Sequence, residues 1–168
     1  MVANVGATAT PSIVWAAPFL RNVYDGAGQT TAITDAVIQS DTSLTVETWF
    51  RTNTHGVILG YQADAVGGAV VGHYTPALYV GTDGLLRGKF WYPAGGSTPV
   101  TTGAVVNDGA WHHVALIGDD DQSTMYLDGT LVGVGVGPID HLTMALNQIG
   151  GGYTLSWPGG NGGWHYFG

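Results

Sequence analysis

Glutamate and lysine, mainstays of solvent-facing helices, occur once each in this chain, as Glu47 and Lys89, whereas glycine occurs 28 times in 168 residues. Each glycine inside a helix costs about 1 kcal/mol relative to alanine, so long helices are poorly supported. The same glycines supply the positive-φ positions that tight turns need, which favours strands joined by short loops. Turn signals recur about every ten residues: Asn53 to Gly56, Thr82-Asp83-Gly84, Asn107-Asp108-Gly109, Gly118 to Gln122 and Asp128-Gly129.

Between these turns the sequence alternates. Residues 44–51 (LTVETWFR) set Leu44, Val46, Thr48 and Phe50 on one face and Thr45, Glu47, Trp49 and Arg51 on the other, the pattern of a half-buried strand. Further strands are predicted over 57–61, 77–81, 85–92, 111–117, 123–128 and 164–167. With no 3.6-residue period between them, the prediction is an all-β antiparallel sandwich. One domain over 1–168 follows from the length and from the lack of a linker or internal repeat.

Charge narrows the partners. The net charge is −8 with a pI near 4.7, and the only cations are Arg21, Arg51, Arg87 and Lys89, too few to neutralise a run of phosphates. Nucleic acid is not an expected partner, and the apolar runs are too short to span a bilayer as a helix. Without cysteine there are no disulfides and no thiolate metal sites. The first ten residues lack the basic start and apolar run of a secretory signal.

Four blocks, TVETWFRT at 45–52, LYVGTDGLLRGKFWY at 78–92, DGAWHHVALIG at 108–118 and MYLDGTLVG at 125–133, resemble in order and spacing a laminin-G-like jelly roll of the concanavalin-A-like superfamily. The resemblance covers roughly residues 29–152 and leaves 1–28 as the least family-like part. It implies two curved antiparallel sheets face to face and an extracellular or cell-surface setting. Trp49, Phe50, Trp111, His113 and Leu127 are then structural candidates for the core. His112 and His113 point to opposite strand faces and do not converge on one ion. His55, His73, His141 and His165 read as turn or surface residues in dissimilar glycine-rich surroundings.

Calcium is the metal the resemblance admits, although no cofactor is required. Its candidate ligands are the acidic run Asp119, Asp120 and Asp121, with Asp25 as an alternative or additional oxygen donor; the competing reading of the run is a solvated hairpin tip. Catalysis is not expected. Glycoside hydrolysis needs paired carboxylates, and Glu47 stands alone without the Glu-Xaa-Asp-Xaa-Glu pattern of some superfamily hydrolases. A nucleophilic serine elbow is also absent. A glycan-active hydrolase is the minor alternative.

Candidate binding residues come from two regions. On the predicted strand 85–92, Arg87, Lys89 and Trp91 share a face, which suits a sugar ring stacked on an indole; the simpler reading is a solvated outer face. In the tail, Tyr153, Trp157 and Trp164 flank a glycine-rich loop and either present rings to a ligand or pack onto the sandwich. Domains of the resembled family continue past the equivalent of Tyr166-Phe167-Gly168 into a further strand. The expectation is therefore an open sheet edge, filled by a partner strand or by the N-terminal segment with Trp15, Phe19, Leu20 and Tyr24. A non-catalytic module for protein–protein association within a larger secreted or surface protein is the expected function, with a lectin-like, calcium-dependent carbohydrate module as the alternative.

Overall fold

The computed structural model describes residues 22–33, 37–40, 42–70, 72–91, 98–119 and 121–168. Among them are twelve strands and no helix: β1 (Thr31–Ile33), β2 (Leu44–Phe50), β3 (Gly56–Gln62), β4 (Tyr74–Val80), β5 (Leu85–Gly88), β6 (Val100–Val105), β7 (His112–Asp119), β8 (Gln122–Leu127), β9 (Thr130–Val136), β10 (Leu146–Ile149), β11 (Gly151–Tyr153) and β12 (Trp164–Tyr166). They form the expected sandwich. The smaller sheet runs β2-β7-β8-β9, antiparallel throughout, and the larger runs β1-β10-β3-β4-β5-β6. β11 and β12 pair with each other, and β12 touches β3 where Tyr166 meets Val57.

The core lies between the sheets. Phe50, Val114, Leu116 and Met125 of the smaller sheet meet Ile58, Tyr61, Leu78, Val80 and Leu86 of the larger, all buried. Each such side chain contributes about 1.5–3 kcal/mol by leaving water. The β8–β9 hairpin shows how local chemistry sets register: Asp128 (φ 50°) and Gly129 (φ 78°) both occupy the left-handed region that a two-residue type I′ turn demands.

The outward face of the larger sheet is covered as well. Val57 and Tyr79 point away from the main core and form a second cluster with Trp157 of the tail. Close passage of the tail depends on glycine: a Cβ on Gly60 would lie 3.0 Å from the Gly151 carbonyl oxygen, and one on Gly152 would lie 3.0 Å from Val57.

Three expectations are corrected. The strand foreseen over 85–92 ends at Gly88, so its alternation does not extend to Lys89 and Trp91. Trp49 and Trp111 are not core residues; they are 63% and 45% exposed, because β2 and β7 turn Glu47, Trp49 and His113 outward while Phe50 and Val114 face in, and Trp111 lies just before β7. His165 is no surface residue, with 1% exposure. Phe50 and Leu127 do contribute to the core as expected. Residues 1–21, Tyr92 and Asp120 lie outside the described residues. No helix among the described residues is long and apolar enough to cross a membrane.

Candidate functional site

Among the described residues β2 pairs on one side only, with β7. Burial follows that asymmetry. On β7 the inward residues Val114 and Leu116 are fully buried, whereas on β2 the inward Leu44, Val46 and Thr48 are only half-buried. Among the described residues the sandwich is therefore open along the β2 edge. At its Thr48–Phe50 end lies a groove of about 280 Å³, floored by Phe50, Ile58, Ile149 and Phe167, rimmed by Trp49, Arg51 and Trp111, and lined as well by Asn22, Val23 and Tyr24 of the segment before β1.

The groove wall is held by the end of the tail. The Phe167 ring packs edge-on against Phe50 with centroids 6.4 Å apart. The Gly168 carbonyl accepts hydrogen bonds from the Thr54 hydroxyl (2.8 Å) and from that of Thr52. Gly56, at φ 141°, admits the passing backbone, since a Cβ there would lie 2.2 Å from the Tyr166 oxygen. Beneath, His55 Nδ1 and His165 Nε2 stand 2.6 Å apart. Among the described residues His165 Nδ1 is buried without a partner. Donation by His165 Nε2–H to His55 Nδ1 is the arrangement that leaves only a lone pair unpaired at that buried atom. Burial, and then the neighbouring His55, push the pKa of His165 down to about 4.

On the rim, the Arg51 guanidinium lies 5.4 Å from the centre of the Trp111 ring. Trp49 packs against His113 with centroids 5.1 Å apart, and His113 Nε2 is 3.6 Å from Glu47 Oε2. His112 turns the other way, its Nδ1 2.8 Å from Asp128 Oδ2 and its Nε2 3.2 Å from Asp108 Oδ1. Burial alone would lower the His112 pKa, but hydrogen bonds and charge from Asp128 and Asp108 raise it.

The residues expected to bind a ligand are dispersed. Arg87 is buried and held by Asp83 through Nη1–Oδ1 (2.8 Å) and Nη2–Oδ2 (2.6 Å), and that bond keeps the Asp83 carboxyl below its ordinary range. Lys89 is 1% exposed and donates to the Val136 carbonyl, while Trp91 is half-buried beside His73. The shared solvated face predicted for these three does not form. In the tail, Tyr153 lies between Tyr74 (4.9 Å) and Trp164 (5.4 Å), Trp164 Nε1 donates to the Gly68 carbonyl, and Trp157 is buried against Tyr79.

The acidic candidates also separate. Asp25 accepts from the Ala27 amide and from Gln29, close to Gly26, whose amide donates to Phe167 at the Phe50 end of β2. Asp119 accepts from Ser43 at the Leu44 end, and Asp121 is exposed near it. Seven residues of β2 lie between, about 20 Å of strand, so Asp25 and the hairpin tip do not share an ion. Among the described residues no group of three or more His, Asp or Glu side chains is placed to hold a metal.

A laminin G-type family model, described as the concanavalin A-like lectin/glucanases superfamily, matches residues 25–165. The chain belongs to this superfamily. Among curated proteins none matches it. Some solved structures are similar to this superfamily member. They include domains LG4-5 of the mouse laminin alpha1 chain (19% identity, TM-score 0.49, 87% of this chain and 40% of that one). Another is domain 4 of AbnA, a GH43 extracellular arabinanase from Geobacillus stearothermophilus, in complex with arabinotriose (14%, TM-score 0.47, 88% and 72%). A third is an endo-β-1,4-glucuronan lyase from the fungus Trichoderma reesei (15%, TM-score 0.38, 86% of each). The chain thus spans 40% of the length of the laminin chain it matches.

Among the residues of the groove that the sequence reading did not single out are Ile58 and Ile149, whereas Phe167 and Tyr24 were named there. The signal for Ile58 and Ile149 was indirect: the predicted inward face of β2 includes Thr48, an unusual lining for a closed core.

Proposed function

We propose that this superfamily member is a non-catalytic association module of the cell exterior, which binds another protein segment by adding its strand to the free edge of β2. The observation that carries this reading is the half-burial of Leu44, Val46 and Thr48 on a strand paired on one side among the described residues, with a groove at the Thr48–Phe50 end of that strand. Unpaired strand edges recruit extended segments: main-chain hydrogen bonds supply affinity and pockets for alternate side chains supply selectivity. An occupant with apolar residues at every second position would cover Phe50, Ile58 and Ile149.

The non-catalytic part of the reading is supported by the surroundings of Glu47. Its cross-strand neighbour is Ala115 and its ionic neighbour is His113, not a second carboxylate. Ser40 and His141 are hydrogen-bonded at 2.8 Å, but Asp140 contacts the serine rather than the imidazole, so the trio lacks the relay order of a hydrolase.

Size-exclusion chromatography with mass measurement, together with thermal melting, tests the proposal on the chain mixed with a short peptide of alternating apolar residues. A stoichiometric complex with a raised Tm supports strand addition. A monomer of unchanged Tm at saturating peptide overturns it.

A further inference from the structure

The outward face of β2 specifies what the added strand carries. Glu47 and Trp49 of β2, and Arg51 one residue beyond its end, project at alternate positions on that face and are exposed, Glu47 lying 3.6 Å from His113 and Arg51 over the Trp111 ring. Among the described residues Arg51 is the exposed cation, since Arg87 and Lys89 are buried. The chain as a whole carries −8. Residues directly opposite on paired strands have Cβ atoms about 4.5–5.5 Å apart, so a strand laid on β2 brings its own outward side chains against these three.

The smaller sheet is antiparallel at every pairing, and an added antiparallel strand continues its ladder. Such a strand runs from the Arg51 end toward the Glu47 end. Resting on the strand-addition reading above, we infer that the partner is an antiparallel segment with an acidic residue opposite Arg51, a basic residue opposite Glu47 four positions later, and apolar residues opposite Phe50 and Thr48. The position between the charges lies against Trp49 and suits a threonine or an aliphatic side chain.

The opposite order, base first and acid second, places like charges against each other at both positions. A base-first segment matches both charges only by running parallel, against the antiparallel pairing of the rest of the sheet, so charge order and strand direction are selected together.

The test uses the full chain and two short peptides of identical composition, valine at the inward positions and aspartate and lysine at outward positions i and i+4, in the two orders. Binding is read by tryptophan fluorescence at low and high salt. The aspartate-first peptide is expected to bind at least about fivefold more tightly, with the gap narrowing at high salt. The double variant Glu47→Arg/Arg51→Glu, checked for an unchanged melt, is expected to invert the preference. Equal affinity for both peptides, or preference for the lysine-first order, overturns the charge assignment while leaving strand addition standing. Failure of both peptides to bind overturns strand addition and this inference with it.

Discussion

The His55–His165 pair makes the stability of the groove wall depend on pH, and the sign follows from the direction of the shift. His165 has its pKa pushed down to about 4, against about 6.5 for a free histidine. Between those values the unfolded chain takes up a proton that the folded chain refuses. Stability is therefore fully present above about pH 6.5 and falls as the pH drops toward 4. At 1.36 kcal/mol per pH unit the full shift would be worth about 3 kcal/mol. Water reaching the exposed His55 screens the pair, so we expect about 1–2 kcal/mol. For a domain of this size that is a fall in Tm of roughly 2–8 °C.

The assay is thermal unfolding at steps from pH 7.5 to about pH 4, comparing the native chain with His165→Gln, whose side chain cannot gain a charge. The raised pKa of His112 acts in the opposite direction and is common to both proteins, so it cancels in the difference. The cost of the substitution should shrink steadily as the pH falls through the window. Melts that decline in parallel would refute the assignment of a buried neutral imidazole. His55→Gln, which removes only the neighbouring ring, should give a smaller effect.

Other consequences are as direct. Asp83→Asn leaves the buried Arg87 without its carboxylate and is expected to cost about 1–3 kcal/mol in urea unfolding at neutral pH; a change within error would show that the pair is replaceable by water. The native pair's contribution is present above the ordinary carboxylate pKa and is lost as acid titrates Asp83 below it. Gly118→Ala places a methyl group 2.5 Å from Ile139 and 2.7 Å from Phe90 in the core, an overpacking cost of about 1–3 kcal/mol by the same assay. We propose that calcium has no role in holding the fold: Tm in chelator should lie within about 1–2 °C of that in excess calcium, and a larger rise abolished by Asp121→Asn would overturn this.

Much of the fold was legible because it is local. Alternation over 44–50 and the Asp128-Gly129 turn each name their own geometry, and the four family-like blocks supply the order. Less legible was whatever depends on distant covering. The outward side of β4 and β5 looks solvated in sequence, yet the tail some seventy positions later covers Tyr79 and Arg87, with Gly159 lying against the guanidinium. His165 is buried by the same layering. Trp49 was misjudged for another reason: its bulk suggested the core, although its alternation with Glu47 and Arg51 had already placed it outside. Lys89 and Trp91 left the expected face because β5 ends at Gly88, where a Cβ would strike Met125 and Leu116.

Native-state amide hydrogen exchange along β2, with and without the aspartate-first peptide, tests the central claim most directly. Strand addition predicts new protection at alternate amides over 44–50, those directed away from β7, with β9 at the far edge of the same sheet unchanged. Exchange over 44–50 that is indifferent to saturating peptide, or protection that develops at β9 instead, would contradict the assignment of β2 as the binding edge.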